Sequence, residues 1–306
     1  MDQKLFVNAL RTGRLANRLV LFAHFIGFAE EMGCRLINVA FHSYADLFET
    51  TRRDIYCQYP VPARKSRLDT LPGIANAIRK TRLFYHLVRP TAVLNARFQP
   101  FGKKVVTLQE IRGRPMTLLD GPEVQEQIAG AKIIFAYGWG LRAPDLVSRH
   151  AEKIRAYFRP IAKVETRSRQ TMERLRQRAD VVVGVHVRRG DYQGWKQGRF
   201  YFPVERYAAW MREMAEQFPG RKTAFFVCSD EPRSRNEFEG LTVEIGGGPP
   251  VTDLYTLARC DYVFGPPSTF SQWASFYGNT PMLHLQNPGA TIDREKFAVS
   301  HLLEIP

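Results

Sequence analysis

Residues 181–192 of the 306-residue chain read VVVGVHVRRGDY, a run of small and β-branched residues that leads into two arginines and an aspartate. Such a run is typical of a strand buried on both faces, as in a parallel sheet covered by helices. Ligands of open α/β sheets bind beyond the carboxyl ends of the strands, where Arg188 and Arg189 fall. Adjacent guanidiniums repel each other unless an anion lies between them, and the guanidinium fork fits phosphate oxygens. The segment therefore predicts a phosphate or diphosphate clamp.

Two plainer interpretations of this segment stay open at this point. An arginine pair after a strand is most often a solvated strand end. Residues 189–191 also form the Arg-Gly-Asp tripeptide of adhesion motifs, although it follows a buried strand here rather than occupying an exposed loop tip.

The C-terminal half shows the alternation that a doubly wound parallel sheet requires, because parallel strands need crossover helices between them. The predicted strands are 181–188, 223–228, 241–245, 261–264 and 281–285. The predicted helices are 203–217, a short one after residue 230, 253–259 behind Thr252 as N-cap, and 269–277 behind Ser268 as N-cap.

The N-terminal half opens with a βαβ pattern, formed by strand 4–10, a helix from residue 15 that ends at Gly33, and strand 35–41. Residues 42–130 are the least legible part of the sequence. The remaining predicted strands are 104–108, 116–119 and 132–137, and helices follow at 144–157 and 163–178. Since a chain of this length accommodates two domains of about 150 residues, we predict domains over 1–160 and 161–306.

Polar residues follow several strands of the C-terminal half, so we expect them at one rim of its sheet. A carboxylate in such a place commonly accepts from ribose hydroxyls or base amines. A serine-capped helix start is a ready anion site, although a plain cap is the simpler interpretation. Asp253 could equally be a favourable charge at a helix N-terminus. The candidates are His186, Arg188, Arg189, Asp191, Asp230, Asp253, Ser268, Thr269 and Phe270.

The turn between the first strand and the first helix is a further candidate. Gly13 permits close approach of the backbone to a ligand, and Asn17 offers an amide on the first helical turn. A tight connection without a ligand is the alternative.

Composition and charge narrow the class of protein. No apolar run approaches the ~18 residues of a membrane span, and no signal-peptide pattern is visible. Four cysteines without metal-ligand spacing are too few for a disulfide framework, so we expect a reducing, cytoplasmic setting and no metal site. The net charge of +14 calls for an anionic partner. Nothing resembles a nucleic-acid module, which favours peripheral association with the inner face of an anionic membrane.

Three stretches resemble the superfamily of GDP-fucose-dependent fucosyltransferases, most closely the bacterial α-1,2-fucosyltransferases of glycosyltransferase family 11. Residues 186–192, HVRRGDY, are similar to the His-X-Arg-Arg-Gly-Asp-Tyr signature of that family. Residues 268–274, STFSQWA, fifteen residues after Asp253, resemble its second block, and residues 13–17, GRLAN, resemble its opening turn.

The resemblance implies a GT-B fold of two facing Rossmann-like domains and an inverting, metal-independent transfer of fucose to a glycan hydroxyl. It also implies that Arg188 binds the β-phosphate with help from Ser268 or Thr269, and that Asp253 meets the guanine. His186 and Asp230 would line the nucleotide pocket, whereas Gly13 and Asn17 would reach over the donor from an acceptor-binding N-terminal domain.

The identity of the base and of the linkage is left open by the sequence. Asp191 is the candidate for the base that deprotonates the acceptor, and a buttress for the arginines is its equal alternative. Ala16, Arg18 and the pair 266–267 (PP) depart from the family pattern, which weakens the assignment of an α-1,2 linkage to galactose. A GT-B enzyme with another nucleotide sugar or acceptor, or a basic protein that binds nucleic acid or an anionic surface, stays an alternative.

Overall fold

The computed structural model describes residues 3–63, 78, 81–111 and 113–302. The chain divides into two compact units, with the boundary between Ile161 and Ala162. Within the described residues, each unit contains its own five-stranded, mainly parallel sheet. The predicted α/β class is therefore confirmed.

The first unit contains a sheet with the strand order β3-β2-β1-β6-β4, in which β3 is the antiparallel edge. Its strands are β1 (Leu5–Asn8), β2 (Arg35–Ile37), β3 (Gln58–Tyr59), β4 (Val105–Gln109) and β6 (Ile133–Tyr137), while β5 (Thr117–Leu118) pairs with β7 (Leu141–Arg142). Its helices are α1 (Leu15–Glu31), α2 (Leu83–Phe98), α3 (Pro122–Ile128), α4 (Pro144–Arg149) and α5 (Ala151–Tyr157).

An aromatic cluster explains where this unit departs from the prediction. The strand expected at 35–41 ends at Ile37, and a 3-10 helix, Val39–Leu47, follows it. This turn carries Phe41 onto Phe22 of α1, at a ring-centroid distance of 5.2 Å, and onto Phe158 at 5.8 Å. Burial of three aromatic rings together outweighs the local preference of the segment for an extended chain.

The second unit contains a fully parallel sheet with the order β10-β9-β8-β11-β12. All seven residues of the central strand β8 are buried, as its β-branched sequence predicts. The strands lie within one residue of their predicted bounds: β8 (Val181–Val187), β9 (Thr223–Ser229), β10 (Thr242–Ile245), β11 (Tyr262–Gly265) and β12 (Met282–His284). The strand order reverses between β8 and β11, the type of position at which such sheets bind ligands.

The helices of this unit are α6 (Ala162–Arg176), α7 (Val204–Glu216), α8 (Pro250–Leu257) and α9 (Thr269–Gly278). Ser268 caps α9 as predicted, since its side chain accepts from the N–H of Phe270. The prediction for α8 is wrong, because the helix begins at Pro250 behind Pro249 and Thr252 lies inside it. A proline at the first helical position lacks only an N–H that would be unpaired in any case, so the helix can begin there.

Candidate functional site

Two chain segments meet at the carboxyl edge of the second sheet, where β8 and β11 are neighbours. Val185 pairs with Phe264, so Arg188 and the start of α9 leave the sheet on the same side. Tyr192 joins the two segments: its hydroxyl donates to the carbonyl of Pro267, and the Arg188 guanidinium lies 5.4 Å from its ring centroid. The sequence signature and the serine-capped helix therefore lie together at this edge of the sheet, as predicted.

Arg188 is oriented by two carboxylates. Its Nη2 lies 2.7 and 2.9 Å from the two oxygens of Asp191, and its Nη1 lies 3.2 Å from Oδ2 of Asp230. The strand register explains the contact between Arg188 and Asp230. Val187 of β8 pairs with Ser229 of β9, and Arg188 and Asp230 directly follow these two residues. A guanidinium has five N–H donors, so these contacts leave further donors for a phosphate. The side chain is 17% exposed.

The glycine of the signature makes this arrangement possible. A Cβ atom at Gly190 would lie 2.6 Å from Oδ2 of Asp230, closer than any real contact of this kind. Asp230 also accepts from the backbone N–H of Arg189 at 3.0 Å. Both of its oxygens thus face protein donors, so the geometry favours support of Arg188 over the expected contact with a ribose.

Arg189 does not share the position of Arg188, which corrects the expectation of a joint clamp. Its guanidinium donates to the carbonyl of Phe202 at 2.8 Å and to the hydroxyl of Tyr201, and it lies 4.2 Å from the centroid of the Tyr201 ring. Glu231 lies 3.4 Å from its Nε. The repulsion between the two arginines is therefore relieved by carboxylates that follow β9 and does not by itself require an anionic ligand.

Asp191 is the more exposed of the two carboxylates, with 54% of its side chain accessible. Both of its oxygens contact the guanidinium of Arg188. Because both oxygens are occupied by the guanidinium of Arg188, the geometry favours the buttress over the base of the two predicted roles. The role of Asp191 as a base stays a prediction.

His186 is a buried neutral imidazole at this edge. Burial, together with the positive charge of Arg188, lowers its pKa to about 3. Its ring lies 5.0 Å from that of Phe270, and its Nδ1 is buried without a hydrogen bond among the described residues. At neutral pH the imidazole carries no charge and can donate a hydrogen bond to a ligand or accept one from it.

The start of α9 is held by a histidine that the sequence analysis did not select. Nε2 of His284, at the end of β12, lies 3.1 Å from Oγ of Ser271 and 3.4 Å from the backbone nitrogen of Ser268. Ser268 and Thr269 are buried, whereas Phe270 is half-buried. The position of His284 at the end of a predicted strand next to β11 was the available signal for it.

A pocket of about 290 Å³ lies beside the glycine-rich turn that follows β10. Asp253 lines it together with the turn 246–248, Arg167 and Arg174. Burial raises the pKa of Asp253 to about 7. A Cβ atom at Gly246 would lie 2.8 Å from this carboxyl group, so only glycine fits there. A ligand with N–H donors would therefore stabilise the charged form of this buried carboxyl group.

Two arginines of α6 lie next to β10 and its pocket. Arg174 pairs with Glu244 of β10 at 2.5 Å, and Arg167 lines the pocket next to it. The sequence could not show these contacts, because β10 follows α6 by more than sixty residues.

Gly13 and Asn17 lie in the turn between β1 and α1 of the first unit. Gly13 has a φ of +48°, and a Cβ atom there would lie 1.9 Å from Nδ2 of Asn17. The neighbouring Arg18 donates to the carbonyls of Thr12, Gly13 and Ala40, each at 3.2 Å, and so fixes the turn. The participation of Gly13 and Asn17 in donor binding stays a prediction.

The described residues show no cluster of metal ligands and no helix that could span a membrane. No group of three or more His, Cys, Asp or Glu side chains there could hold a metal ion. Among the helices described, none has the length and apolar character needed to traverse a bilayer. The four cysteines, all of which are described, are buried thiols.

Comparison with solved structures identifies the fold. The NodZ fucosyltransferase from Bradyrhizobium superposes with a TM-score of 0.58 at 18% identity, covering 94% of this chain and 97% of that one. A mutant of Arabidopsis thaliana FUT1 in complex with GDP gives 0.55 at 12% identity, covering 97% and 74%. The fold is that of the GT-B fucosyltransferases.

Sequence comparison finds similarity to the same class of enzyme over part of the chain. Residues 147–296 match Glycosyl transferase family 11. Nodulation protein Z of Azorhizobium caulinodans is 30% identical over 126 residues, which cover 31% of this chain and 38% of that protein. The chain thus matches well under half the length of this curated relative. The resemblance to the GDP-fucose-dependent fucosyltransferase superfamily is confirmed.

Proposed function

We propose that this protein transfers fucose from GDP-fucose to a hydroxyl of a glycan acceptor, with inversion at the anomeric carbon and without a metal ion. The observation that carries the proposal is the site at the switch point of the second sheet, where Arg188, aimed by two carboxylates, meets the serine-capped start of α9. Two solved relatives, FUT1 and NodZ, have been crystallised with GDP.

The chemistry required at this edge is stabilisation of a departing nucleotide. As the bond between the fucosyl C1 and the β-phosphate oxygen breaks, negative charge grows on GDP. Arg188 is already oriented, so it stabilises this charge without reorganisation. The N–H groups at the start of α9 add positive potential on the opposite side. The acceptor oxygen forms the new bond to C1 and gives its proton to a base, for which Asp191 is the candidate.

The pocket at β10 is proposed to hold the base of the nucleotide. The guanine edge offers N1–H and N2–H donors to a carboxylate, and Asp253 is the carboxyl group there. Because burial raises its pKa to about 7, an unliganded Asp253 is partly protonated at neutral pH. Guanine donors would favour its charged form, so base recognition and ionisation are coupled.

The proposal is tested by transfer and hydrolysis assays over a panel of nucleotide sugars with and without EDTA. Of the nucleotide sugars in the panel, we expect only GDP-fucose to be turned over, and we expect EDTA not to lower the rate. The sequence resemblance suggests an α-1,2 linkage to galactose, whereas one solved relative is an α-1,6-fucosyltransferase. NMR of the product decides the linkage. Turnover only with a different nucleotide sugar, or tight oligonucleotide binding without any GDP binding, would overturn the assignment.

A further inference from the structure

Helix α2 exposes an apolar stripe on the surface of the first unit. One of its faces is buried through Ala92 and Asn95, and Asn95 donates to the side chain of Thr107 at 3.1 Å. On another face, exposed apolar side chains recur with helical spacing, and Phe101, just beyond the end of the helix, extends this row. Their exposures are Leu83 47%, Leu87 59%, Leu94 49%, Phe98 64% and Phe101 52%. An exposed helix of a soluble surface normally presents polar residues there, so this stripe indicates a contact with an apolar phase.

The sequence that contains α2 carries charge of one sign. Between Asp69 and Glu110 the sequence contains no acidic residue but seven basic ones: Arg79, Lys80, Arg82, Arg89, Arg97, Lys103 and Lys104. Of these, Arg97 lies beside the stripe, with its guanidinium 5.2 Å from the ring centroid of Phe98. Lys103 and Lys104, just after Phe101, are exposed. A forty-residue stretch without any carboxylate is unusual in a chain in which 30 residues are acidic.

We propose that α2 docks this protein on the surface of an anionic lipid bilayer. A helix that lies in a membrane interface places apolar side chains among the acyl chains and basic side chains at the level of the phosphates, which is the arrangement of α2. A second copy of the chain docked through the same stripe would bring these cations against like charges, because this segment has no carboxylates of its own. The inference does not depend on the proposed transferase activity.

The apolar part is tested by co-sedimentation of the full chain with phosphatidylcholine vesicles, with and without phosphatidylglycerol. The wild type should pellet only with vesicles that contain phosphatidylglycerol. The double variant Leu87→Gln/Leu94→Gln should bind at least about tenfold more weakly, because two exposed leucines can no longer insert into the acyl layer. Leu118→Gln is the matched control, since Leu118 is an exposed leucine of the same unit (43%) outside α2 and should bind like the wild type.

The electrostatic part is tested with a matched pair of triple variants. Arg97→Gln/Lys103→Gln/Lys104→Gln should weaken binding about a hundredfold, at roughly fivefold for each charge, and the remaining binding should depend less on salt. The control, Lys163→Gln/Lys222→Gln/Arg235→Gln, removes the same charge from exposed positions of the second unit and should bind nearly as well as the wild type.

Three outcomes overturn the proposal. The first is a wild type that does not bind anionic vesicles. The second is equal loss in the α2 and control triple variants, which would make the net charge sufficient. The third is self-association in analytical ultracentrifugation that Leu87→Gln/Leu94→Gln abolishes while vesicle binding stays unchanged, which would make the stripe a contact between copies of the chain. Circular dichroism of each variant separates these results from misfolding.

Discussion

Two arginines, one in each unit, show how the surroundings of a guanidinium distinguish a structural role from a functional one. Arg18, in the first turn of α1, donates to three backbone carbonyls and is 7% exposed, and its guanidinium lies 4.9 Å from the ring centroid of Tyr44. Arg188, after β8, is held by carboxylates and keeps donors available. Carbonyls that use most of the donors turn an arginine into a loop brace, whereas carboxylates at one end orient it toward a ligand.

The largest expected effect is at Arg188. Arg188→Ala should lower kcat by about 10²–10³, because an oriented donor to the leaving group is lost. Arg188→Lys should recover only part of this, since an ammonium cannot reproduce the guanidinium fork. Donor turnover is measured alongside thermal unfolding, and Tm should stay close to that of the wild type. A folded Arg188→Ala enzyme with normal kcat would mean that Arg188, like Arg18, has only a structural role.

The next effect concerns the pH dependence of stability at Asp253. Because burial raises its pKa from 3.8 to about 7, the protonated form is favoured in the folded protein. The stability this gives is fully present below pH 4 and is lost as the pH rises through 7. Asp253→Asn avoids the loss, so it should stabilise the protein by about 2–4 kcal/mol at pH 8 and by little at pH 4. Urea unfolding at both pH values checks this.

The same residue should govern base recognition. Wild-type affinity for GDP should rise as the pH passes 7, because the carboxylate is the form that accepts from guanine. IDP lacks the 2-amino group and should bind about ten- to a hundredfold more weakly than GDP. In Asp253→Asn the preference for GDP over IDP should fall and the pH dependence should disappear. Calorimetry with GDP and IDP measures both affinities. An unchanged preference for GDP in Asp253→Asn would mean that the guanine binds at another place.

Arg18→Met should change stability without changing the chemistry of the second unit. It leaves three carbonyls without their donors, which should lower the unfolding free energy by about 2–3 kcal/mol. Arg35→Met is the control, because Arg35 is exposed on β2 of the same unit and its replacement should cost less than about 0.5 kcal/mol. GDP affinity of folded Arg18→Met should match the wild type. A large loss of GDP affinity at unchanged stability would contradict the role as a brace.

A smaller effect distinguishes a helix cap from a ligand contact. Ser268 caps α9, and Ser234 caps the short 3-10 helix Arg235–Phe238. Each Ser→Ala change should cost about 1 kcal/mol of stability. Only Ser268→Ala should also raise the KM for the donor, because its helix faces Arg188. Equal KM values in the two variants would mean that Ser268 is a cap alone.

The smallest catalytic effect is expected at Asp191. If it orients Arg188, Asp191→Asn should lower kcat by about tenfold or less and leave the shape of the pH–rate profile unchanged. Loss of a general base would instead cost about 10²–10⁴ and remove one limb of the profile. The profile therefore separates the two roles left open by the sequence.

Prediction from sequence succeeded where one segment contains its own determinants. The β-branched run of β8 and the serine before α9 each specify an element within a few residues, and both were located correctly. Prediction failed where a distant segment decides. Phe41 leaves the expected strand because Phe22 and Phe158 bury it. The start of α8 is a different case, since its determinant, the proline pair 249–250, is local and was overlooked.

The sequence by itself determined that parallel strands alternate with helices and that polar residues gather where those strands end, since all parallel strands finish at the same edge. Only the tertiary structure decided that Arg188 faces this edge whereas Arg189 is held by Phe202 and Tyr201. The physical reason is that the contact partners that give the two arginines different roles, above all Asp230, are brought to them by strand pairing and loop packing. Spacing along the chain cannot specify such contacts.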